Sequence, residues 1–155
     1  MAEKHWLDKI IEKYGNSGEA DHSTGSYEWK YGGNGTDSDG DGKIEFDCSH
    51  FLNQVLKDIG CNNPYQSSTA LKSSRYYDGI DKADLQKGDI VLFINNITKH
   101  VGFFYGYDEN GNMLVYSSSG DTKKGTDRGP AITLADWFGT PTTFLRAHIG
   151  DVLNY

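Results

Sequence analysis

The sequence predicts an α+β fold, with N-terminal helices packed on a central antiparallel β-sheet. Three observations carry this reading. Apolar residues recur at helical spacing in two segments of the N-terminal half. Short apolar runs of strand length fill the C-terminal half, and an Asn-Gly turn folds two of them against each other. At 155 residues the chain reads as one domain, large enough to bury a core, with no internal repeat and no low-complexity tract.

Trp6, Leu7, Ile10, Ile11 and Tyr14 share one helical face, and Gly15 ends that helix. Residues 15–42, rich in Gly, Ser, Asp and Asn, read as loop. Phe51, Leu52, Val55, Leu56 and Ile59 define a second amphipathic helix. It begins near Cys48 with Asp47 as its cap, and Gly60 stops it. Residues 66–75 are expected to form a short third helix. Strands follow: Asp89 to Ile94 behind Gly88, then His100 to Tyr107. The turn Asp108 to Asn112 returns the chain antiparallel through Met113 to Ser117. Leu134 to Phe138 reads as a short helix and Phe144 to Ile149 as a closing strand.

Fifteen basic residues against 22 acidic ones give a net charge of −7, which weighs against a nucleic-acid partner. No run approaches the ~20 apolar residues of a membrane span. Met1 to His5 lead into an amphipathic segment, not an apolar signal core, so the expectation is synthesis in the cytoplasm without a Sec signal. A monomer is expected. The two cysteines, Cys48 and Cys61, would flank the second helix. That span is roughly 18 Å at ~1.5 Å per residue, against a bridging limit of about 7 Å. Both are read as free thiols, Cys61 as a small buried residue.

The chemistry concentrates at Phe46-Asp47-Cys48-Ser49-His50-Phe51 and Lys99-His100-Val101-Gly102. The first puts a thiol in the first turn of a helix, and the second puts an imidazole at the start of an apolar strand. A helix N-terminus and a nearby imidazolium both lower a thiol's pKa, and the free amides of the helix start can receive an oxyanion. The expectation is an activated Cys48 nucleophile with His100 as its base. A buried structural cysteine beside an unrelated strand histidine is the plain alternative, since His5, His22, His50 and His148 are also present.

Four segments in order tip that balance: Tyr31-Gly32-Gly33, Phe46-Asp47-Cys48-Ser49-His50-Phe51, Gly88-Asp89-Ile90-Val91-Leu92-Phe93, and His100-Val101-Gly102-Phe103-Phe104. From Tyr27 to Ile149 the chain resembles the NlpC-type cell-wall peptidases, a papain-like group related to the cysteine- and histidine-dependent amidohydrolases. The resemblance implies a papain-like fold and a Cys48–His100 pair that cuts amide bonds in bacterial peptidoglycan. It also implies Trp29, Tyr31 and His50 as substrate-binding residues. Three positions depart from the family's pattern. His50 replaces a glycine, Trp29 replaces a tyrosine, and the strand after His100 lacks the usual orienting histidine. Ser117, Tyr116 or a backbone carbonyl is left to orient His100.

Asp37-Ser38-Asp39-Gly40-Asp41-Gly42-Lys43-Ile44 matches the opening of a calcium loop. Asp37, Asp39 and Asp41 supply the carboxylates, Lys43 a backbone carbonyl and Glu45 a further carboxylate. The loop's usual final glutamate is replaced by Cys48 itself. A solvated acidic turn is the alternative. The whole reads as a calcium-binding peptidoglycan amidase, either an antibacterial type VI secretion effector with an immunity protein or a phage lysin. A housekeeping wall hydrolase fits less well. A non-catalytic calcium-binding interaction module, or a thiol acyltransferase or deamidase acting on a protein or lipid, are the competing classes.

Overall fold

The structure, a computed structural model, describes residues 4–16, 27–29, 32–38, 40, 42–61, 63–73, 75–95, 99–119 and 129–148. Helix α1 (Trp6–Tyr14) is capped by the His5 ring, which accepts from the Leu7 N–H, and it buries Trp6, Leu7, Ile10 and Tyr14. Three short strands follow: β1 (Tyr27–Trp29), β2 (Asn34–Thr36) and β3 (Ile44–Phe46). They form a small sheet in the order β1-β3-β2. This corrects the expectation of loop across 15–42. Three-residue strands among Gly, Asp and Asn carry too few side chains to show a period of two.

Helix α2 (Cys48–Asp58) buries Phe51, Leu52, Val55 and Leu56. The third helix expected at 66–75 is reduced to one 3-10 turn, Leu71–Ser73. Its single fully buried apolar residue, Leu71, gives a longer helix no face to bury. A six-stranded antiparallel sheet takes up the rest: β4 (Tyr77–Ile80), β5 (Ile90–Ile94), β6 (Lys99–Tyr107), β7 (Met113–Ser119), β8 (Gly129–Leu134) and β9 (Thr143–Ala147). Its order is β4-β9-β5-β6-β7-β8. The fold is thus α+β. The 134–138 segment is a 3-10 turn over Ala135–Phe138, and the predicted end of the closing strand, Ile149, lies outside the described residues.

Both faces of the large sheet are covered, which explains why β5 reads as a continuous apolar run. Ile90 and Leu92 join Val101, Phe103, Tyr116 and the buried faces of α1 and α2 in one cluster. Val91 and Phe93, alternating with them, join Phe104, Val115, Ala135 and Phe138 in a second. The Gly88-Asp89 pair fastens this strand at its start. Gly88 has φ +96°, and a Cβ there would collide with the Trp6 ring. Asp89, fully buried, accepts from Arg146 Nε at 2.9 Å and Nη2 at 2.7 Å, tying β5 to β9. Among the described residues no helix is long and apolar enough to cross a membrane.

Candidate active site

Asp47 precedes α2 in extended backbone, and its Oδ1 accepts the His50 N–H at 2.8 Å. Cys48 is therefore the first helical residue. Capping fixes where the helix starts, and the start places the thiol. Cys48 packs against the cluster that contains α2. The ladder between β6 and β7 runs from Phe103↔Tyr116 to Tyr107↔Met113, so the beginning of β6 lies outside that register and is paired with β5. There the Val101 N–H meets the Cys48 thiol.

His100, one residue earlier, points to the other side of β6, where the second cluster lies. Its ring stacks on Phe138 at 3.8 Å between centroids and 15° between planes, with Phe93 6.0 Å away. Nε2 lies 2.9 Å from Ser117 Oγ. That approach depends on Gly102. A Cβ at 102 would sit 3.0 Å from Ser117 Cβ and 3.2 Å from the Tyr116 carbonyl oxygen. The glycine of His100-Val101-Gly102 thus makes room for the residue that touches the histidine. Tyr116 turns the other way and donates to the Gly15 carbonyl oxygen at 2.6 Å.

The structure brings His100 and Ser117 into direct contact and sets Cys48 against the amide of Val101, the residue after His100. Cys48 and His100 form no hydrogen bond to each other among the described residues. Nδ1 is the ring atom left over from the Ser117 contact. The electrostatics correct one expectation. Burial pushes the Cys48 thiol up to about 11, aided by the charge of Asp47. The Val101, Ser49 and Cys48 amides favour the thiolate but are outweighed. Burial likewise lowers His100 to about 3. Both shifts favour a neutral thiol and a neutral imidazole over an ion pair. The helix N-terminus acts in the expected direction, but desolvation is larger.

His50 is held by its neighbours. Nδ1 lies 2.8 Å from Asp47 Oδ1, and the ring stacks on Tyr65 at 4.1 Å and 12°. The Tyr65 hydroxyl meets Ser49 Oγ at 2.9 Å. Trp29, half-buried, lies opposite Phe46 in the β1–β3 register, two residues before Cys48. Tyr31, Asp39, Asp41 and His22 lie outside the described residues. Asp37 accepts from the Gly40 N–H at 2.9 Å and the Gly42 N–H at 2.8 Å. Glu45, buried, accepts from Ser38, while Lys43 is exposed. The remaining histidines have other employment: His5 caps α1, and His148 pairs with Asp78 at 2.9 Å. Cys61 is a buried free thiol, raised by that burial.

Sequence reasoning missed Tyr65 and Phe138. Tyr65 stands in an irregular stretch with no periodicity. Phe138 reaches His100 only through the tertiary fold. Gly102 was within the motif, but its contact with Ser117 needs the strand register.

No curated protein matches the chain. The family model for the NlpC/P60 family matches residues 25–128, a stretch that begins before the small sheet and spans Cys48, His100 and Ser117. With more than half its length in that match, the chain belongs to the NlpC/P60 family.

Proposed function

We propose that the protein is a papain-like cysteine amidase that hydrolyses amide bonds in the stem peptides of bacterial peptidoglycan. The observation that supports it best is one constellation within a NlpC/P60 chain: a thiol at the first residue of α2, lying against the residue that follows a buried, Ser117-contacted histidine. Cys48 Sγ attacks the amide carbon while His100 takes the thiol proton. Both groups start neutral, so the transfer accompanies the attack. The amides at the start of α2 receive the developing oxyanion. His100 then returns its proton to the leaving amine, and water hydrolyses the Cys48 thioester. Ser117 is a positioning residue that holds the ring. Trp29, Tyr31 and His50 are assigned to substrate contact.

Digestion of purified peptidoglycan, with fragments identified by mass spectrometry, tests the reading. Wild type should release fragments with new amino and carboxyl ends in the peptide, and Cys48→Ala should release none. An undigested wall, or equal release by Cys48→Ala, overturns it. Delivery as an antibacterial type VI effector with an immunity protein, or as a phage lysin, fits a wall substrate reached from outside the producing cell. A search for a co-purifying inhibitor separates these two.

Calcium belongs to the same proposal. Asp37, Asp39, Asp41 and Glu45, with the Lys43 carbonyl, supply hard oxygen donors to a cation at the approach to Cys48. A ligand that binds only the folded state stabilises by RT ln(1 + [L]/Kd), about 2.7 kcal/mol at a hundredfold excess. Calcium should raise the melting temperature of wild type but not of Asp37→Asn. An unchanged melt with calcium or with chelator removes the site.

A further inference from the structure

The β6–β7 register ends, among the described residues, at Phe103↔Tyr116. Beyond that pair each strand goes on with its outer neighbour: β6 back to Lys99 against β5, and β7 out to Ser119 against β8. The chain that enters α2 touches both. On the β6 side the Val101 N–H meets the Cys48 thiol. On the β7 side Ser118 Oγ donates to the Phe46 carbonyl oxygen at 2.8 Å. No step of the proposed reaction uses Ser118.

Its setting is specific. Ser118 is fully buried. A hydroxyl has one proton to donate, and here it goes to a backbone carbonyl two residues before the nucleophile. Successive strand residues face opposite sides of a sheet. Ser117 therefore faces the His100 side, where its Oγ lies 2.9 Å from Nε2, and Ser118 faces the α2 side, as Tyr116 does. Neighbouring residues of one strand thus hold the imidazole and the turn that carries the thiol. That turn has little slack. The Asp47 N–H donates to the Gly33 carbonyl at 2.9 Å, and the Asp47 carboxylate caps α2 through the His50 N–H. Only Asp47 separates Phe46 from Cys48, so a shift of the Phe46 carbonyl carries the first helical residue with it. Cys48 and His100 form no hydrogen bond to each other among the described residues, so their separation is set by what each is fastened to. A misplacement of about 1 Å between reacting groups can cost about a hundredfold in rate.

We propose that Ser118 is a positioning residue of the amidase reaction: by holding the Phe46 carbonyl it keeps the Cys48 thiol at a fixed distance from the ring that its neighbour Ser117 holds. This role rests on the amidase reading for its reaction, whereas the placement of the thiol can be read without a substrate.

Steady-state hydrolysis of soluble peptidoglycan fragments by wild type, Ser118→Ala and Ser118→Thr is the first measurement. Ser118→Ala should lower kcat at least about tenfold with KM within about twofold, and Ser118→Thr, which keeps the hydroxyl, should restore kcat to within about threefold of wild type. The second measurement is iodoacetamide labelling at pH 8, followed by mass mapping of both thiols. Ser118→Ala should label Cys48 at least about fivefold faster than wild type, because a released turn exposes the thiol, and leave Cys61 labelling unchanged. Cys61, buried past the end of α2, reports general loosening, which raises both rates together. Wild-type kcat in Ser118→Ala, an equal fall in both variants, or equal acceleration at Cys48 and Cys61 overturns the role. If wild type hydrolyses nothing, the amidase reading fails, and the labelling still decides whether Ser118 places the thiol.

Discussion

Stability should fall on mild acidification because of His100, and replacing that residue should remove the effect. The imidazole is 6% exposed, stacked on Phe138 and close to Phe93. Burial lowers it to about 3 from an ordinary 6.5. The unfolded chain therefore takes up a proton below pH 6.5 that the folded chain refuses. The stabilisation is complete above the unfolded value and is lost as pH falls from 6.5 toward 3. One proton corresponds to ~1.4 kcal/mol per pH unit. At pH 4.5 the loss is about 2.7 kcal/mol by that slope, a large share of a small domain's stability. Carboxylates titrate in the same window, so the informative quantity is a difference. Urea unfolding of wild type and His100→Gln, measured at intervals from pH 7 to pH 4.5, should show wild type losing more by about that amount. Phe138→Ala should give an intermediate slope, because water admitted to the ring raises its pKa. Parallel pH curves for wild type and His100→Gln would refute the neutral buried imidazole and the mechanism built on it.

Gly102→Ala should destabilise by about 1–3 kcal/mol through overpacking against Ser117 and Tyr116 and lower turnover; pairing it with Ser117→Gly should recover the melting temperature. Brief iodoacetamide treatment at pH 6, followed by mass mapping, should leave Cys48 largely unmodified, since its thiol is raised to about 11; rapid labelling there would reveal a thiolate and contradict the neutral pair. Arg146→Ala should cost roughly 3–5 kcal/mol in thermal or urea melts, because it takes both guanidinium bonds from the fully buried Asp89 carboxylate, and a loss below about 1 kcal/mol would show that its remaining donors, the Gln86 N–H among them, hold the charge.

The elements that were legible are those whose side chains repeat. α1, α2, β5, β6 and the turn into β7 each carry a period or a turn signal. Cys48 was placed at a helix start because Asp47 is a capping residue just ahead of an apolar face. β4 was not legible, since Tyr77–Ile80 buries only Tyr77. β8 was hidden by Gly129 and Pro130; β8 ends the sheet order, and an edge strand tolerates proline. At the site, the thiol, the imidazole and Ser117 as one of three orienting candidates came from spacing and motif. Their ionisation did not. A motif reports the local helix terminus, whereas the dominant effect is desolvation by burial, for His100 among Phe93 and Phe138, which only the assembled fold supplies.

That neutral pair has a mechanistic consequence in the choice of Ser117. An imidazole ionised at rest would need a carboxylate or similar partner to hold its charge. The group the structure sets against the ring is a hydroxyl, Ser117 Oγ, buried to 1% exposure and 2.9 Å from Nε2. A hydroxyl can accept the Nε2 proton of a neutral ring and so fix the tautomer whose Nδ1 lone pair is free to receive the thiol proton. It brings no charge that would raise the imidazole's pKa. On the proposed mechanism the serine and the burial act together: each favours an unprotonated His100 at neutral pH, at the cost of stabilising the imidazolium less once it forms. Catalysis in such a site depends on proton transfer and carbon attack occurring together. On the proposed mechanism the ring must reach the thiol past Val101, whose N–H meets Cys48 at the start of β6.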